Sequence, residues 1–376
     1  MKSSNGTDRK KRDVFKELAR HLNSLAIGYP ESEILEIILR ENFSPAEAEA
    51  ALALPNKVIP LQPVTVDEIA ASLKVPLGDL GRILEKLAQR GLLFSGETKK
   101  GKKGYALQQV GFGFPQSFFW KNEESHHTHD MAEKVGRYFT SEKTREAYGQ
   151  TKTKAFQFVP IGETLPIELQ SVFPYQMMDK IIERAKVIAV AHCACRVASR
   201  LNGRVCTHPT EVCMKFDDMA EYLIKRKLAR EIPKEEASDI IQLCQENNLV
   251  HFVDNAQDGI KHNCNCCGCA CWSVARIRKR KIPRDVIMAT YFIRETNEKE
   301  CIGCEACLDV CPVDALVMEN GVAKVDKDWC IGCGVCINKC PSQAPQIIIR
   351  PDKKDDKPAT NFRKLHEQIL EEKGLK

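Results

Sequence analysis

The sequence has no long hydrophobic run, and this absence limits what the protein can be. Among its 376 residues, no apolar stretch approaches the roughly eighteen residues that a membrane-spanning helix requires. The amino terminus is polar, reading MKSSNGTDRKKRDVFK, and has no apolar segment of the kind found in secretory signal peptides. We therefore expect a cytoplasmic protein without a transmembrane anchor.

Several cofactor and catalytic motifs are also missing. The chain has no Gly-rich loop that would cradle a phosphate, a flavin or a nicotinamide nucleotide, and no set of residues that indicates a nucleophile with its base. Any hydride chemistry would therefore have to come from a partner. The net charge of +5 is modest, so it neither requires nor excludes nucleic acid as a partner.

Cysteine, in contrast, is abundant, with 18 residues in the chain. In a secreted protein this number would indicate disulfides, but without a signal peptide it favours reduced thiols that bind metal. Two copies of one pattern, C-x2-C-x2-C-x3-C-P, lie near the carboxyl end. Their cysteines are Cys301, Cys304, Cys307 and Cys311 in the first copy, and Cys330, Cys333, Cys336 and Cys340 in the second.

This doubled pattern resembles the iron–sulfur run of bacterial dicluster ferredoxins. The resemblance implies two [4Fe-4S] clusters with crossed ligands. One cluster takes Cys301, Cys304, Cys307 and Cys340, and the other takes Cys330, Cys333, Cys336 and Cys311. The alternatives are a disulfide framework and paired zinc knuckles, but neither explains both Cys-Pro steps and both three-residue gaps. Because exposed clusters of this kind decay under oxygen, we also expect an anaerobic host.

Other residues of this segment support the same interpretation. Gly303 and Gly332 allow the backbone to approach inorganic sulfides, and Pro312 and Pro341 turn the chain at the fourth cysteine of each copy. Between the copies, two short apolar stretches flank Asn320-Gly321, which predicts a β-hairpin. We therefore expect a compact ferredoxin-like dicluster domain over residues 291–350.

Nine further cysteines form two clumps in the centre of the chain, and we predict that they bind metal. The dense C-x-C spacing suits neither usual zinc knuckles nor the ferredoxin pattern. Soft thiolates select iron–sulfur clusters or zinc. We therefore expect one or two further metal centres and favour iron–sulfur over zinc. The candidate ligands, whose assignment stays open, are Cys193, Cys195, Cys206, Cys213, Cys264, Cys266, Cys267, Cys269 and Cys271. Cys244, within an expected helix, is assigned to the core.

The two clumps are predicted to converge on a shared site. Each follows an apolar, strand-like run, residues 187–191 and residues 249–253. If both strands belong to one parallel sheet, their carboxyl ends meet at one edge, where open α/β sheets place their sites. The arginines at 276, 278 and 280 follow the second clump, and either dock an anionic partner or form a solvated helix end.

The amino-terminal part predicts a helical segment and then a winged-helix-like module. Two short helices, a turn at residues 74–78, a strand, a basic turn and a returning strand occur in that order. In one interpretation this module binds DNA, and in the other it is a docking or structural domain. The residues that would meet DNA are Arg82, Lys86, Gln89 and Arg90 on the second helix and Lys99, Lys100, Lys102 and Lys103 in the wing.

Together these observations predict a multidomain α+β protein. The expected segments are a helical part (1–60), the winged-helix-like module (61–115), a cysteine-rich α/β domain (116–290), the dicluster domain (291–350), and a linker with an amphipathic tail suited to a partner (351–376). We expect a protein that carries low-potential electrons to or from a partner oxidoreductase. The alternatives are a redox-sensing DNA-binding regulator, or an oxidoreductase with a catalytic iron–sulfur centre in the central domain.

Overall fold

The amino-terminal segment is a group of three helices, each held at its amino end by a capping side chain. The computed structural model describes residues 12–71, 77–161, 164–172 and 177–376. Asp13 accepts hydrogen bonds from the backbone N–H groups of Phe15 and Lys16, and Ser44 forms a capping box with Glu47. The helices are α1 (Val14–Asn23), α2 (Glu33–Asn42) and α3 (Pro45–Leu52).

Two helices and a hairpin follow, in the order that the sequence predicts. They are α4 (Val66–Ala70), α5 (Leu77–Gln89), β1 (Leu93–Glu97) and β2 (Lys103–Leu107). The two strands pair antiparallel, and Val64 forms a bridge to Tyr105 beside them. Of the predicted turn at residues 74–78, residues 74–76 lie outside the described residues. The winged-helix interpretation and DNA binding stay predictions.

A seven-stranded sheet with helices around it forms the centre of the molecule. The strands are β3 (Phe156–Val159), β4 (Ile188–His192), β5 (Glu211–Phe216), β6 (Arg230–Glu231), β7 (Val250–Asp254), β8 (His262–Cys266) and β9 (Met288–Ala289). The helices of this part are α6 (His126–Thr140), α7 (Glu142–Gly149), α8 (Ile167–Val172), α9 (Met178–Arg184), α10 (Ala194–Leu201), α11 (Asp217–Lys225), α12 (Lys234–Glu246) and α13 (Val274–Arg278). Burial of the strands explains their continuous apolar runs.

The central sheet is antiparallel, which corrects the parallel arrangement considered for the two cysteine-bearing strands. Its order is β6-β4-β5-β8-β7-β3-β9, and only β3 and β9 pair parallel. Because β4 and β8 both run opposite to β5, their carboxyl ends lie at the same edge. The second clump therefore reaches that edge on β8 itself, since β7 points the other way. Cys213, near the amino end of β5, pairs with Ala191 at this edge.

The carboxyl-terminal cysteine segment is built on two small antiparallel pairs. Its elements are β10 (Phe292–Thr296), α14 (Ala306–Asp309), β11 (Leu316–Glu319), β12 (Val322–Val325) and β13 (Pro345–Ile349). Strand β10 pairs with β13, and β11 pairs with β12. The predicted hairpin is confirmed, because Asn320 and Gly321 both adopt positive φ, 52° and 78°, as a tight two-residue turn requires.

The amphipathic tail packs on the protein's own core, which corrects its assignment to a partner. It forms α15 (Phe362–Glu372), capped by the side chain of Asn361. The ring of Phe362 meets the ring of Phe112 edge-on, with centroids 5.6 Å apart. Leu365 and Ile369 on the same face are buried. The apolar stripe that the sequence shows is therefore used within the chain.

One hydrophobic core runs from Phe15 in α1 to Leu370 in α15. It includes buried side chains from the amino-terminal helices, the hairpin module, the central sheet and the tail, so these parts are packed together. The segment boundaries drawn from the sequence stay predictions. Within the described ranges, every helix is too short or too polar to cross a bilayer.

Candidate metal centres

The two glycines of the carboxyl-terminal cysteine segment adopt the backbone conformation for which glycine is suited. Gly303 and Gly332 have φ of 68° and 62°. A Cβ on Gly303 would lie 2.8 Å from the Gly321 carbonyl oxygen, and one on Gly332 would lie 2.3 Å from that of Phe292. Any side chain here would be strained and would collide with backbone. These loops can therefore bring their N–H groups close to whatever the thiols hold.

Seven thiols of this segment fall into two neighbourhoods that cross between the two cysteine runs. Burial raises the pKa of Cys307, and the thiols of Cys340 and Cys301 raise it further. Burial likewise raises the pKa of Cys311, with Cys330 adding to the effect. The fourth cysteine of each run therefore lies beside cysteines of the other run.

Cys333 and Cys336 belong to the second of these neighbourhoods. Burial raises the pKa of each, and both are also influenced by the thiols of Cys311 and Cys330. Cys304, in the first run, is exposed, so the first cysteine run reaches the surface. Backbone N–H groups form hydrogen bonds with thiols of both neighbourhoods. Ala315 donates to Cys311 Sγ at 3.2 Å, and Ala323 donates to Cys301 Sγ at 3.5 Å.

A buried arginine stands among these thiols with donors to spare. Arg294 is 2% exposed, and its Nη2 donates to Cys307 Sγ at 3.8 Å. Its charge also lowers the pKa of Cys336, whose pKa is raised overall by burial. Nε and Nη1 of Arg294 have no hydrogen-bond partner among the described residues. A buried cation with two unpaired N–H donors suits a site that holds anionic clusters, because the cluster sulfur atoms would accept hydrogen bonds from those donors.

Six central thiols, here called the six-thiol group, line one cavity. In order of contact they are Cys193, Cys195, Cys271, Cys266, Cys264 and Cys213. The Sγ atoms of Cys271 and Cys266 are 3.3 Å apart. All six line a largely apolar cavity of about 110 Å³, beside Trp120 and Phe139. The two predicted cysteine clumps therefore do meet, since Cys195 contacts Cys271 and Cys213 contacts Cys264.

The six-thiol group is prepared to carry negative charge. Hydrogen bonding with Cys213 and Cys266 holds the pKa of Cys264 well below the usual range of a thiol. Hydrogen bonding with Cys195 and Cys266 does the same for the pKa of Cys271. Both shifts favour the thiolate form of Cys264 and Cys271, and buried negative charge of this kind requires cations.

Two buried cations flank the six-thiol group. Arg196 is 1% exposed and donates one bond, from Nη2 to the Asn265 carbonyl oxygen at 3.0 Å. Its Nε and Nη1 lack hydrogen-bond partners among the described residues. Burial lowers the pKa of Arg196, but thiols led by Cys193 outweigh burial and raise it overall. Hydrogen bonding with Cys264, together with burial, raises the pKa of Cys213, and the charge of Lys215, equally buried, opposes that rise.

A second, compact central group consists of Cys206, His208, Cys267 and Cys269, here called the Cys3His group. One ligand atom from each residue lies within 4.8 Å of every other. The sulfur atoms of Cys269 and Cys267 are 3.3 Å apart, and those of Cys269 and Cys206 are 3.5 Å apart. Burial lowers the pKa of His208, so its imidazole is neutral and able to bind metal at neutral pH.

The loop that carries Cys267 and Cys269 lies directly against the carboxyl-terminal segment. A Cβ on Gly268 would fall 2.2 Å from the carbonyl oxygen of Pro312, the residue after Cys311. The central thiols and the ferredoxin-like segment are therefore in backbone contact at this point.

Arginines that follow the second clump also bind the carboxyl-terminal cysteine segment, next to the contact between Gly268 and Pro312. Arg278 Nε donates to Asp314 Oδ2 at 2.7 Å, and Arg280 donates to the carbonyl oxygens of Val313 and Asp314, each at 2.7 Å. The guanidinium of Arg280 also lies 4.5 Å from the centre of the Trp329 ring. These two arginines are exposed at the end of α13, and both also hold parts of one chain together.

Residues 300–344 match the family model of the 4Fe-4S dicluster domain. A domain of this family carries iron–sulfur clusters and indicates electron transfer, which implies a redox partner. The match covers the carboxyl-terminal cysteine segment and leaves the central thiol groups outside it. Searches among curated proteins and among solved structures gave no significant match.

Outside the dicluster domain, sequence analysis missed the residues that surround the thiols. His208 follows Cys206 by two residues, and that spacing could have indicated a ligand. Arg196 belongs to an arginine cluster, with Arg200 and Arg204, that the sequence places directly after the first clump. Lys215 carries no sequence signal, and burial of either cation is visible only after folding. Cys244 is buried in α12, and burial raises its pKa to about 12, which agrees with its assignment to the core.

The predicted DNA-contacting residues have partners within the protein at several positions. Arg90 donates to Glu47 at 2.7 Å, and Gln89 donates to Glu85 at 3.4 Å. Arg82 pairs with Asp79 one turn earlier on α5. In the wing, Lys99, Lys100 and Lys102 are exposed, while Lys103 pairs with Glu85 at 2.7 Å. The wing therefore offers more free positive charge than the helix does.

Proposed function

We propose that this protein is an iron–sulfur electron carrier with three redox centres in one chain. Two are [4Fe-4S] clusters of the dicluster domain, with the crossed ligand sets that the ferredoxin resemblance implies. The third is an iron–sulfur centre on the six-thiol group. When bound, such clusters supply one-electron transfer at potentials that the surrounding protein tunes.

The observation that carries this proposal is the contact between Gly268 and Pro312. Cys267 lies next to the six-thiol group in sequence, and Pro312 follows Cys311, a proposed ligand of the second cluster. Backbone contact here, without intervening side chains, gives a short path between the central thiols and the dicluster domain. A chain that merely stored two unrelated centres would not need this close approach.

The surrounding residues support the proposal through charge and burial. Arg294 sits beside thiols of both proposed clusters, and Arg196 and Lys215 flank the six-thiol group. Each buried cation favours the more negative, reduced state of its neighbour and so raises the reduction potential. The neighbourhood of Cys304 is exposed, with Ile302 67% exposed beside it. We propose this end as the point where a redox partner exchanges electrons.

Anaerobic purification, followed by iron and sulfide analysis and EPR of the reduced protein, tests the proposal. Wild-type protein should contain more iron and more sulfide per chain than two [4Fe-4S] clusters alone would supply. Cys304→Ala and Cys333→Ala should each remove the EPR signal of one cluster in the dicluster domain, and Cys264→Ala should remove the central one. Each replacement deletes a proposed ligand while leaving the neighbouring thiols in place.

Cys244→Ala is the matched control, because it removes a buried thiol outside all three groups. Its iron, sulfide and EPR signals should equal those of wild type. If wild type holds metal without sulfide, or if Cys264→Ala leaves every signal intact, the corresponding centre does not exist as proposed.

A further inference from the structure

The Cys3His group has the shape of a site for a single metal ion. We propose that Cys206, His208, Cys267 and Cys269 bind one zinc ion, separate from any iron–sulfur cluster of this chain. The ligand atoms would be three Sγ atoms and Nδ1 of His208. The site goes beyond the electron-transfer proposal, because zinc does not change its oxidation state in proteins.

Distances within the group match a tetrahedron around one ion. With Zn–S bonds of about 2.3 Å, two sulfur ligands of a tetrahedral ion lie about 3.8 Å apart. The three sulfur pairs are 3.3, 3.5 and 3.9 Å apart. His208 Nδ1 lies 3.5 Å from Cys206 Sγ and 3.7 Å from Cys269 Sγ, also close to what a tetrahedral ion requires. Three thiolates and one imidazole make a closed, four-coordinate set, typical of structural zinc.

The same compactness disfavours an iron–sulfur cluster at these four residues. A cubane has inorganic sulfides between its irons, so its cysteine sulfurs must stand well apart. In the part of the chain that the structure describes, this is the one set of three or more such ligands with all atoms within 4.8 Å. The six-thiol group instead extends along a cavity, so a polynuclear centre there can take thiols that are not immediate neighbours.

The local structure also prepares the thiols for metal. Cys206 and His208 lie in the segment between α10 and β5, and Cys267 and Cys269 lie in the loop after β8. The backbone N–H of Ala270 donates to Cys267 Sγ at 3.4 Å, a bond that stabilises a thiolate. Cys269 is exposed, so an ion can enter from solvent. One ion would thereby join two loops that are distant in sequence.

The position of the site indicates what zinc does there. Gly268 lies between two of the ligands and touches the Pro312 carbonyl oxygen. Zinc would fix the Cys267–Cys269 loop in the form on which the dicluster domain docks. The ion would therefore act structurally, by holding the surface between the central sheet and that domain.

Metal analysis of the full-length protein, purified anaerobically, tests this inference. We expect about one zinc per wild-type chain in addition to iron, as a closed Cys3His site implies. His208→Ala and Cys269→Ser should each lower zinc at least about fivefold, because a structural ion needs its full ligand set, while iron and sulfide stay at wild-type levels. Thr207→Ala, at an exposed position between two ligands, is the matched control and should keep its zinc.

Two further measurements keep the test decisive if a variant folds poorly. His208→Cys should retain zinc, since four cysteines form an equally good tetrahedral site. Cobalt exchanged into wild-type protein should give the visible absorption of tetrahedral thiolate coordination, and this absorption should be lost in His208→Ala. Three results would each overturn the proposal. The first is a wild-type protein that contains no zinc, and the second is an unchanged zinc content in both His208→Ala and Cys269→Ser. The third is a loss of iron and sulfide together with zinc in His208→Ala.

Discussion

The space beside Gly268 is closed by the carbonyl oxygen of Pro312, which lies 2.2 Å from where a Cβ would stand. The obstacle is backbone, so it cannot move aside as a flexible side chain would. This contact joins the loop of the central thiols to the turn that follows Cys311. The contact leads to a direct prediction.

Gly268→Ala should separate the two parts without removing any ligand. The added methyl group must push the backbones apart, and overpacking of this kind typically costs about 1–3 kcal/mol. We expect iron and sulfide contents equal to wild type, but slower electron exchange between the dicluster domain and the central centre. Freeze-quench EPR after addition of less than one electron equivalent measures that exchange.

Gly81→Ala is the control for this substitution. Gly81 lies within α5, and a Cβ there meets no atom within 4 Å, so exchange should remain at the wild-type rate. Equal exchange in Gly268→Ala and wild type would show that electrons do not pass through this contact.

The buried guanidinium of Arg294 should set the potential of the dicluster domain. Reduction adds negative charge to a cluster, and a nearby cation stabilises that charge. Arg294→Gln should therefore make both reduction potentials more negative, by on the order of tens of millivolts within the wide range of such clusters. Redox titration followed by EPR measures the shift.

Arg294→Lys keeps the charge and loses the planar fork of donors. Its potentials should lie between those of wild type and Arg294→Gln. Unchanged or more positive potentials in Arg294→Gln would mean that the arginine serves packing alone.

Much of the dicluster domain could be predicted from sequence, since its function depends on local spacing. The C-x2-C-x2-C-x3-C-P pattern and Asn320-Gly321 act within a few residues, and the observed turns and hairpin follow from them. The Cys3His group could not be derived in this way. Cys206 and Cys267 are brought together by antiparallel pairing of β5 with β8, and strand direction is a property of the whole sheet.

Burial of charge was equally beyond sequence analysis. In the sequence, nothing about Arg196 and Arg294 indicates that they are buried while Arg82 is exposed. Only the first two lie among thiols in the structure. The amphipathic stripe of α15 was recognised correctly, but a stripe does not state which surface will cover it. In this fold the covering surface includes Phe112, which lies some 250 residues earlier in the chain.

The regulator alternative makes its own prediction about the exposed wing. Replacing Lys99, Lys100 and Lys102 with Gln should weaken DNA binding and lower the slope of log K against log salt by up to about three, roughly one for each lost phosphate contact. Fluorescence anisotropy with a duplex at several salt concentrations measures both quantities. The matched control replaces the exposed lysines Lys143, Lys225 and Lys227 with Gln, which makes the same change in net charge.

If wild type fails to bind DNA even at low salt, the module has a docking or structural role. The paired state of Arg82 and Arg90 in this structure is compatible with that outcome.

Glu85 connects the hairpin module to the central domain and should make stability depend on acid pH. Its carboxylate accepts bonds from Arg226 at 2.5 Å, Lys103 at 2.7 Å and Tyr105 at 2.9 Å. Hydrogen bonding from Arg226, the largest influence, lowers the pKa of Glu85 from 4.5 to about 2. Because the folded state favours the charged form, this stabilisation is complete above pH 4.5 and is lost as pH falls towards 2.

Glu85→Gln should therefore be less stable than wild type at neutral pH, by about 1–3 kcal/mol, the usual cost of losing hydrogen bonds to a charged group. The difference between the two proteins should shrink as pH falls from 5 to about 2, because wild type then protonates the same carboxyl. Urea unfolding followed by circular dichroism measures it. Acid loss of clusters affects both proteins alike, so the difference isolates Glu85. A difference that stays constant over this range would assign the effect to packing instead of charge.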